Sequence, residues 1–279
     1  MRRAILVAAA VCALLVMARL DDALPEGAFA WVVVALVVAA LAGFVVLEVP
    51  PLLRDNWHVL ASRLGLPSRR APPHYVRAAF SDHAAEFDAH LMERLAYRAP
   101  NLVRAAAAPA LGPPPAEILD LGCGTGLCGP LFAPVAARLV GVDLSPEMLA
   151  QAARKDCYDA LVEADILKWL GAAEERFDLC VAADVLVYFG DVGPVLAGLG
   201  RVLRPGARLV FTTEADSRPD WRLTRSGRFA HGRAHVMDRA AAAGFEDETV
   251  AAETLRLESE KEVVGDIWVL RRPPAVTVG

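Results

Sequence analysis

The sequence predicts an α/β domain built on a mixed, mainly parallel sheet, and three observations carry that prediction. The stretch Ile118-Leu-Asp-Leu-Gly-Cys-Gly-Thr-Gly126 is an apolar run with an acid inside it, closing on three alternate glycines. It reads as a buried strand entering a tight turn, because glycine has no Cβ and lets the backbone bend sharply and a ligand approach the main chain. A second run, Arg138-Leu-Val-Gly-Val-Asp143, ends in an acid 21 residues after Gly122. That is close to the ~20 residues expected for a carboxylate that takes both ribose hydroxyls. Further apolar runs of strand length alternate with helical patterns, and the last two strands are joined too closely for a crossover helix, so they pair antiparallel. The turn by itself does not name the ligand, since Gly124-Thr-Gly-Leu-Cys-Gly129 also satisfies the G-x-G-x-x-G pattern of dinucleotide sites.

A chain of 279 residues holds one domain of ordinary size plus an appendage. The composition is 55% hydrophobic, which points to a membrane contribution, and the net charge of -5 comes without a long Lys/Arg run, which speaks against nucleic acid as a partner. The first residues, Met1-Arg-Arg, precede an uncharged run from Ala4 to Ala18. A polar break with Asp21, Asp22 and Glu26 follows, then a second uncharged run from Gly27 to Leu47. The second run reaches the ~20 residues a bilayer-spanning helix needs. A signal peptide competes for residues 1–20, although no small-x-small cleavage site precedes Asp21. A buried core helix competes for residues 27–47, but they are apolar on every face. Arg2 and Arg3 flank one end and Arg54, Arg63, Arg69 and Arg70 follow the other, so the positive-inside bias gives a two-helix transmembrane hairpin over residues 1–50 with both ends cytoplasmic. The expected location is a bacterial-type inner membrane with the remaining chain in the cytoplasm. Residues 51–74, with Pro51, Pro67, Pro72 and Pro73 among arginines, read as a linker along the membrane surface.

From Tyr75 to Leu95 the spacing of Val76, Ala79, Phe80, Phe87, Leu91 and Leu95 is helical. An Ala-rich stretch, 105–110, ends a further helix before Pro113 to Pro115, and the first strand follows at Glu117. After Asp143 and Leu144, Ser145 suits an N-cap, Pro146 a first turn and Glu147 the helix dipole. Ala160 to Leu167 is strand-like with Asp165 and Ile166 at its end, and Phe177 to Ala183 is a continuous apolar run suited to a central parallel strand. It delivers Ala183 and Asp184-Val-Leu-Val-Tyr188 to the strand end, where open α/β sheets bind ligands. Pro194 opens a helix that Arg204-Pro-Gly206 ends, and Arg208 to Thr213 is the next strand. A helix from Val236 to Ala243 and strands near 248–257 and 263–270 bring the total to seven. Cys123 and Cys128 have the wrong spacing for a redox or zinc pair, and all five cysteines read as reduced thiols.

The stretches ILDLGCGTG and VGVDLSPEML, together with VLRPGARLVFTTE, resemble the class I S-adenosylmethionine-dependent methyltransferases. YVRAAFSDHAAEFDAHLMERLAYRAP is similar to the N-terminal cap of a bacterial branch that includes predicted methyltransferases fused to tetratricopeptide repeats. The resemblance implies a Rossmann-like seven-stranded mixed sheet with a reversed last strand over residues 75–272, followed by a tail, 273–279. It implies S-adenosylmethionine as cofactor, held by Asp120, Gly122, Gly124, Gly126, Asp143, Leu144, Asp165, Ile166 and Ala183. Asp165 would meet the adenine amino group, although an acid at a strand end is often only a helix cap. Tyr75 and Phe80 would close over the cofactor. Methyl transfer from a sulfonium asks chiefly for alignment and exclusion of water, so no triad or metal is expected. For a hydroxyl or carboxylate acceptor the candidate catalytic residues are Asp184, Tyr188 and His231, with His235 beside them. His231 and His235 stand i,i+4, which on a helix would share a face, but a third metal ligand is missing. WRLTRSGRFAHGRAH resembles the acceptor-side insert of the repeat-fused relatives, which adds Arg222 and Arg225 to the candidates. The expected acceptor is a small molecule, soluble or membrane-borne.

Overall fold

The computed structural model describes residues 49–66, 68–81, 88, 95–111, 115–258 and 260–275. The chain divides into two compact units, Met1–Trp57 and His58–Gly279. The expected hairpin over residues 1–50 lies outside the described residues except for its last two. Among the described residues no helix is long and apolar enough to cross a membrane.

The elements in order are α1 (Val49–Leu64), α2 (Pro73–Ser81), α3 (Ala99–Ala107), β1 (Ala116–Leu121), a four-residue helix α4 (Gly129–Phe132), β2 (Ala136–Asp143), α5 (Pro146–Ala153), β3 (Ala160–Glu163), α6 (Ile166–Ala172), β4 (Phe177–Ala182), α7 (Gly193–Val202), β5 (Leu203–Asp216), β6 (Trp221–Leu223), β7 (Phe229–Gly232), α8 (Arg233–Ala242), β8 (Glu246–Glu258) and β9 (Lys261–Arg271). Five strands, in the order β3-β2-β1-β4-β5, pair in parallel. β9 then pairs antiparallel with β5, and β8 antiparallel with β9, so β8 runs with the first five and β9 alone is reversed among these seven. That is the mixed sheet the sequence predicts. The structure adds a hairpin, β6–β7, whose second strand pairs in parallel with the end of β5. The stretch WRLTRSGRFAHGRAH, likened above to an acceptor-side insert, thus joins the sheet through both strands of this hairpin.

Alternation within the strands divides the core. Leu119, Leu121, Val140, Val142, Cys180 and Ala182 pack on one face against Leu170 of α6, Leu196 and Leu199 of α7, and Val236 and Ala240 of α8. Ile118, Leu139, Leu179, Val181 and Val210 pack on the other against Ala99, Val103 and Ala107 of α3, with Phe132 and Leu255. Each such large side chain, fully buried, stabilises the fold by roughly 1.5–3 kcal/mol. Helix α5 starts as its sequence directs: the Ser145 hydroxyl accepts from the Met148 N–H at 3.2 Å, Pro146 occupies the first turn and Glu147 faces the positive end.

Two boundaries differ from the sequence reading. Residues 58–74, expected as linker, are packed into the larger unit: α1 runs to Leu64, His58 and Ala61 are buried, and Ala71 is 1% exposed. Pro50 and Pro51 fall in the first turn of α1, where a missing N–H costs nothing. The helix expected over residues 75–95 is described as α2 and, beyond residue 81, falls mostly outside the described residues.

Candidate active site

At the C-terminal ends of β1, β2 and β4 lies a cavity of about 410 Å³. One side of it is the glycine turn. Gly122 has φ +70°, and a Cβ there would stand 2.6 Å from a methyl of Val185, so both conformation and space require glycine. A Cβ on Gly124 would meet nothing within 4 Å, because that main chain faces the open cavity. Gly126 does not line the cavity. Its α-carbon is packed against Ala152 of α5, which makes it a packing residue that closes the turn onto the helix.

Asp143 is held from two sides: Gly124 N–H donates to Oδ2 at 2.9 Å and Ser145 N–H to Oδ1 at 2.9 Å. The carboxylate lines the cavity. Burial pushes this carboxyl up, and the backbone N–H groups of Ser145, Gly124 and Leu144 pull against that. Asp120, 2% exposed, accepts from the Tyr158 hydroxyl at 2.6 Å. Burial raises its pKa to about 7, with the Asp143 charge adding to the rise and the Tyr158 bond opposing it. Leu144, Asp165, Ile166 and Ala183 complete this half of the cavity. Asp165 is also the N-cap of α6, accepting from Leu167 and Lys168 N–H, while Arg70 donates to its other oxygen. Its burial is outweighed by those partners, and its carboxyl sits below the usual range.

Residues 69–71 form a strap over the same half. Arg70 bridges Phe189, Ala71 N–H donates to Tyr188 O at 2.9 Å, and Gly190 N–H to Arg69 O at 2.8 Å. The Arg70 guanidinium stands 4.8 Å over the Phe189 ring. From α2, Arg77 donates to Leu144 O at 3.0 Å and pairs with Glu163 at 3.0 Å, and Tyr75 and Phe80 line the cavity, Phe80 edge-on to Tyr188 at 5.7 Å.

The other half of the cavity is lined by Tyr97, Asp184, Tyr188, Arg228 and Arg256. Asp184 leaves β4 with φ +61°, a conformation non-glycine residues rarely adopt. Two bonds hold it there. Its N–H donates to Thr212 Oγ1 at 2.8 Å, and Arg256 Nη1 reaches its two carboxylate oxygens at 2.9 and 3.1 Å. Arg256 is 1% exposed and also donates to Glu214. Arg228 pairs with Glu258 at 2.9 Å and bonds the Tyr188 hydroxyl, whose pKa burial raises.

Of the sequence candidates, Asp184 and Tyr188 line the cavity and His231 does not. His231 is fully buried on β7, its Nε2 donates to Phe189 O at 2.7 Å, and burial lowers its pKa to about 4. It therefore has neither the access nor the basicity for the role the sequence offered it. His231 and His235 are not on one helix face: they sit on β7 and α8, with ring centroids 6.2 Å apart. His235 faces Asp220 at 3.2 Å, and no group fit to hold a metal occurs among the described residues. Arg222 is paired to Asp216, and neither it nor Arg225 lines the cavity. Sequence reasoning passed over Arg70, Arg228 and Arg256. Arg256 carried a legible signal, a cation inside the apolar strand Thr254-Leu-Arg-Leu257, where a buried charge demands partners. Cys123, Cys128 and Cys180 are buried free thiols, raised well above the usual range by burial, and Cys157 is free as well.

A family model described as a methyltransferase domain matches residues 119–211. Over 141 residues the chain is 36% identical to the malonyl-acyl-carrier-protein O-methyltransferase of Pseudescherichia vulneris, covering 50% of this chain and 53% of that protein. It is 34% identical over 110 residues to nodulation protein S of Rhizobium tropici, covering 37% and 45%. The chain thus spans about half the length of the curated relatives it matches. The solved structure of Burkholderia thailandensis 1,6-didemethyltoxoflavin-N1-methyltransferase, with bound 1,6-didemethyltoxoflavin and S-adenosylhomocysteine, has the same fold. Its TM-score is 0.58 at 20% identity, over 75% of this chain and 94% of that one.

Proposed function

We infer, from the class I S-adenosylmethionine-dependent methyltransferase domain that this chain carries, that the protein transfers a methyl group from S-adenosylmethionine to a small-molecule acceptor entering beside Asp184 and Tyr188. The observation that carries this reading is the glycine turn with Asp143 across it. The turn leads into α4, only four residues long, so no extended helix follows it to offer its N-terminus to a pyrophosphate. This favours a nucleoside with a cationic tail over NAD. The relatives' names support a small or carrier-borne acceptor.

The bound cofactor supplies an activated methyl on a sulfonium. In this reading Asp143 would take the ribose hydroxyls, with Asp120 lining the same half of the cavity. Asp165, Leu144, Ile166 and Ala183 surround the base. The strap and α2 exclude water, and Asp184, fixed by Arg256 and Thr212, orients the acceptor together with Tyr188. Calorimetry of the full chain with S-adenosylmethionine and with NAD tests this: saturable binding of NAD alone overturns it.

The finer reading keeps the N-terminal hairpin as a membrane anchor with the domain on the cytoplasmic side and a lipid-like acceptor within reach. It is supported by the apolar run 27–47 and the placing of the arginines. An active periplasmic alkaline-phosphatase fusion at Gly279 would overturn the orientation, and recovery of the whole chain in the soluble fraction would overturn the anchor.

A further inference from the structure

We propose that the acceptor is a carboxylate on an apolar or aromatic body, seated against Arg228 and methylated on a carboxylate oxygen. This rests on the methyltransferase reading and names the substrate class of the same cavity.

Charge comes first. On the acceptor side the cavity wall carries two guanidiniums, Arg228 and Arg256, against one carboxylate, Asp184, because Glu214 and Glu258 stand behind the wall and do not line it. Both glutamates pair with those guanidiniums from outside the lining, Glu258 with Arg228 at 2.9 Å and Glu214 with Arg256. The charged groups that line this side of the cavity are therefore two cations to one anion, and the sulfonium opposite is positive too. A cationic amine would enter against both.

The second ground is the division of labour between the arginines. Arg256 spends Nη1 on Asp184 and Nη2 on Glu214, which makes it the fixed post of the network. Arg228 bonds Glu258 and the Tyr188 hydroxyl and has Glu214 at 3.9 Å from the Nη1 that Glu258 already takes, so its five-donor fork keeps N–H groups for a ligand. Its backbone is held firmly. Thr224 N–H and Oγ1 both donate to Arg228 O, at 2.8 and 2.9 Å, and His58 Nε2 donates to Gly227 O at 2.7 Å. A pre-positioned guanidinium loses little freedom on taking a planar carboxylate.

The third ground is the apolar remainder. Tyr75, Phe80, Tyr97 and Tyr188 line the same space, with no histidine among the described residues that line it. A carboxylate needs no base. One of its oxygens donates a lone pair to form the O–CH₃ bond as the C–S bond breaks, and that bond pair stays on sulfur. Anion and sulfonium become a neutral ester and a neutral thioether, with no proton moved.

Two measurements test this on the full chain. With the cofactor half filled by S-adenosylhomocysteine, a panel of aliphatic and aromatic carboxylic acids is titrated against the matched primary amides at constant ionic strength. At least one acid is expected to bind and its amide not, with affinity falling about 10- to 100-fold in Arg228→Gln and less in Arg228→Lys, while S-adenosylhomocysteine affinity stays unchanged as proof of folding. A panel in which no acid exceeds its amide, or a loss that Arg228→Gln does not produce, overturns the proposal. Second, label from methyl-tritiated S-adenosylmethionine, incorporated with a metabolite extract, should be released as volatile methanol by mild alkali, the signature of a methyl ester. Alkali-stable label overturns the carboxylate and leaves the methyltransferase reading intact. Failure to bind S-adenosylhomocysteine at all strikes that reading instead.

Discussion

Replacing Asp143 with alanine probes the ribose contact most directly. The Gly124 and Ser145 N–H groups, at 2.9 Å, hold one carboxylate oxygen each, and in the proposed reading the same carboxylate takes the two ribose hydroxyls. Two charge-assisted bonds at about 1.5–3 kcal/mol each amount to about 3–6 kcal/mol, or a rise in Kd of roughly 10²- to 10⁴-fold. The lower end is expected, because the variant leaves the Gly124 and Ser145 N–H groups facing the cavity, where water and the ribose oxygens both reach them. Losing those same two backbone bonds costs about 1–3 kcal/mol of stability, offset in part by relief of a buried carboxylate. Asp143→Asn keeps one acceptor and should lose about half the binding energy. Calorimetric titration with S-adenosylhomocysteine reads the affinity, and a thermal melt establishes folding. A folded Asp143→Ala protein with unchanged Kd would refute the ribose assignment and the spacing logic behind it.

Three further outcomes follow from the geometry. Asp120 titrates at about 7 in the folded chain against 3.8 unfolded, so the native state holds a proton that the unfolded state has lost. Its contribution is complete below pH ~4 and is lost as the pH rises through ~7, up to about 4 kcal/mol, so Asp120→Asn should gain stability relative to the parent between those limits in urea titrations. Parallel pH profiles for the two proteins would count against a buried, protonated Asp120. Gly122→Ala combines a left-handed backbone with a 2.6 Å clash on Val185 and should destabilise by about 2–5 kcal/mol, read by urea unfolding, where a change below 1 kcal/mol would contradict the packing. Arg256→Met leaves Asp184 and Glu214 buried without their cation, at a cost of about 3–5 kcal/mol that adding Glu214→Leu should partly restore. Equal melting points for parent and single variant would show that the pair is not coupled.

The geometry of the glycine-turn half of the cavity was largely legible because its signals are local. Gly122, Gly124 and Asp143 belong to two adjacent strands and their turns, and Ser145-Pro146-Glu147 writes a helix start within three residues. The acceptor half was not legible, for a physical reason. Arg256 meets Asp184 across 72 residues and Arg228 meets Glu258 across 30, and nothing in either neighbourhood states the register that joins them. The strap shows the same limit from the other side. Proline among arginine at 67–73 has the composition of a coil, yet backbone hydrogen bonds linking residues 69 and 71 to Tyr188, Gly190 and Asp191, invisible in composition, fasten the strap down. His231 was a candidate base by its nearness to the expected crevice, whereas it lies on a strand paired to β5 and faces the interior, out of the cavity.

Strand β5 outlasts its neighbour. β4 pairs with it only as far as Ala182 opposite Phe211, whereas Glu214 is bridged on one side to Gly265 of β9 and on the other to Ala230 of β7. The hairpin has moved into the lane that β4 vacates when its chain turns off toward Asp184. Thr212 and Thr213 mark the interval between the two tenants, and Thr212 uses that interval to accept the Asp184 N–H. The hairpin is therefore joined to the sheet where the pairing of β4 with β5 has already finished. A change in its length would not shift the register of β1, β2 and β4, whose ends bound the glycine-turn half of the cavity. A sheet arranged in this way lets one end of the cavity vary while the other keeps its geometry.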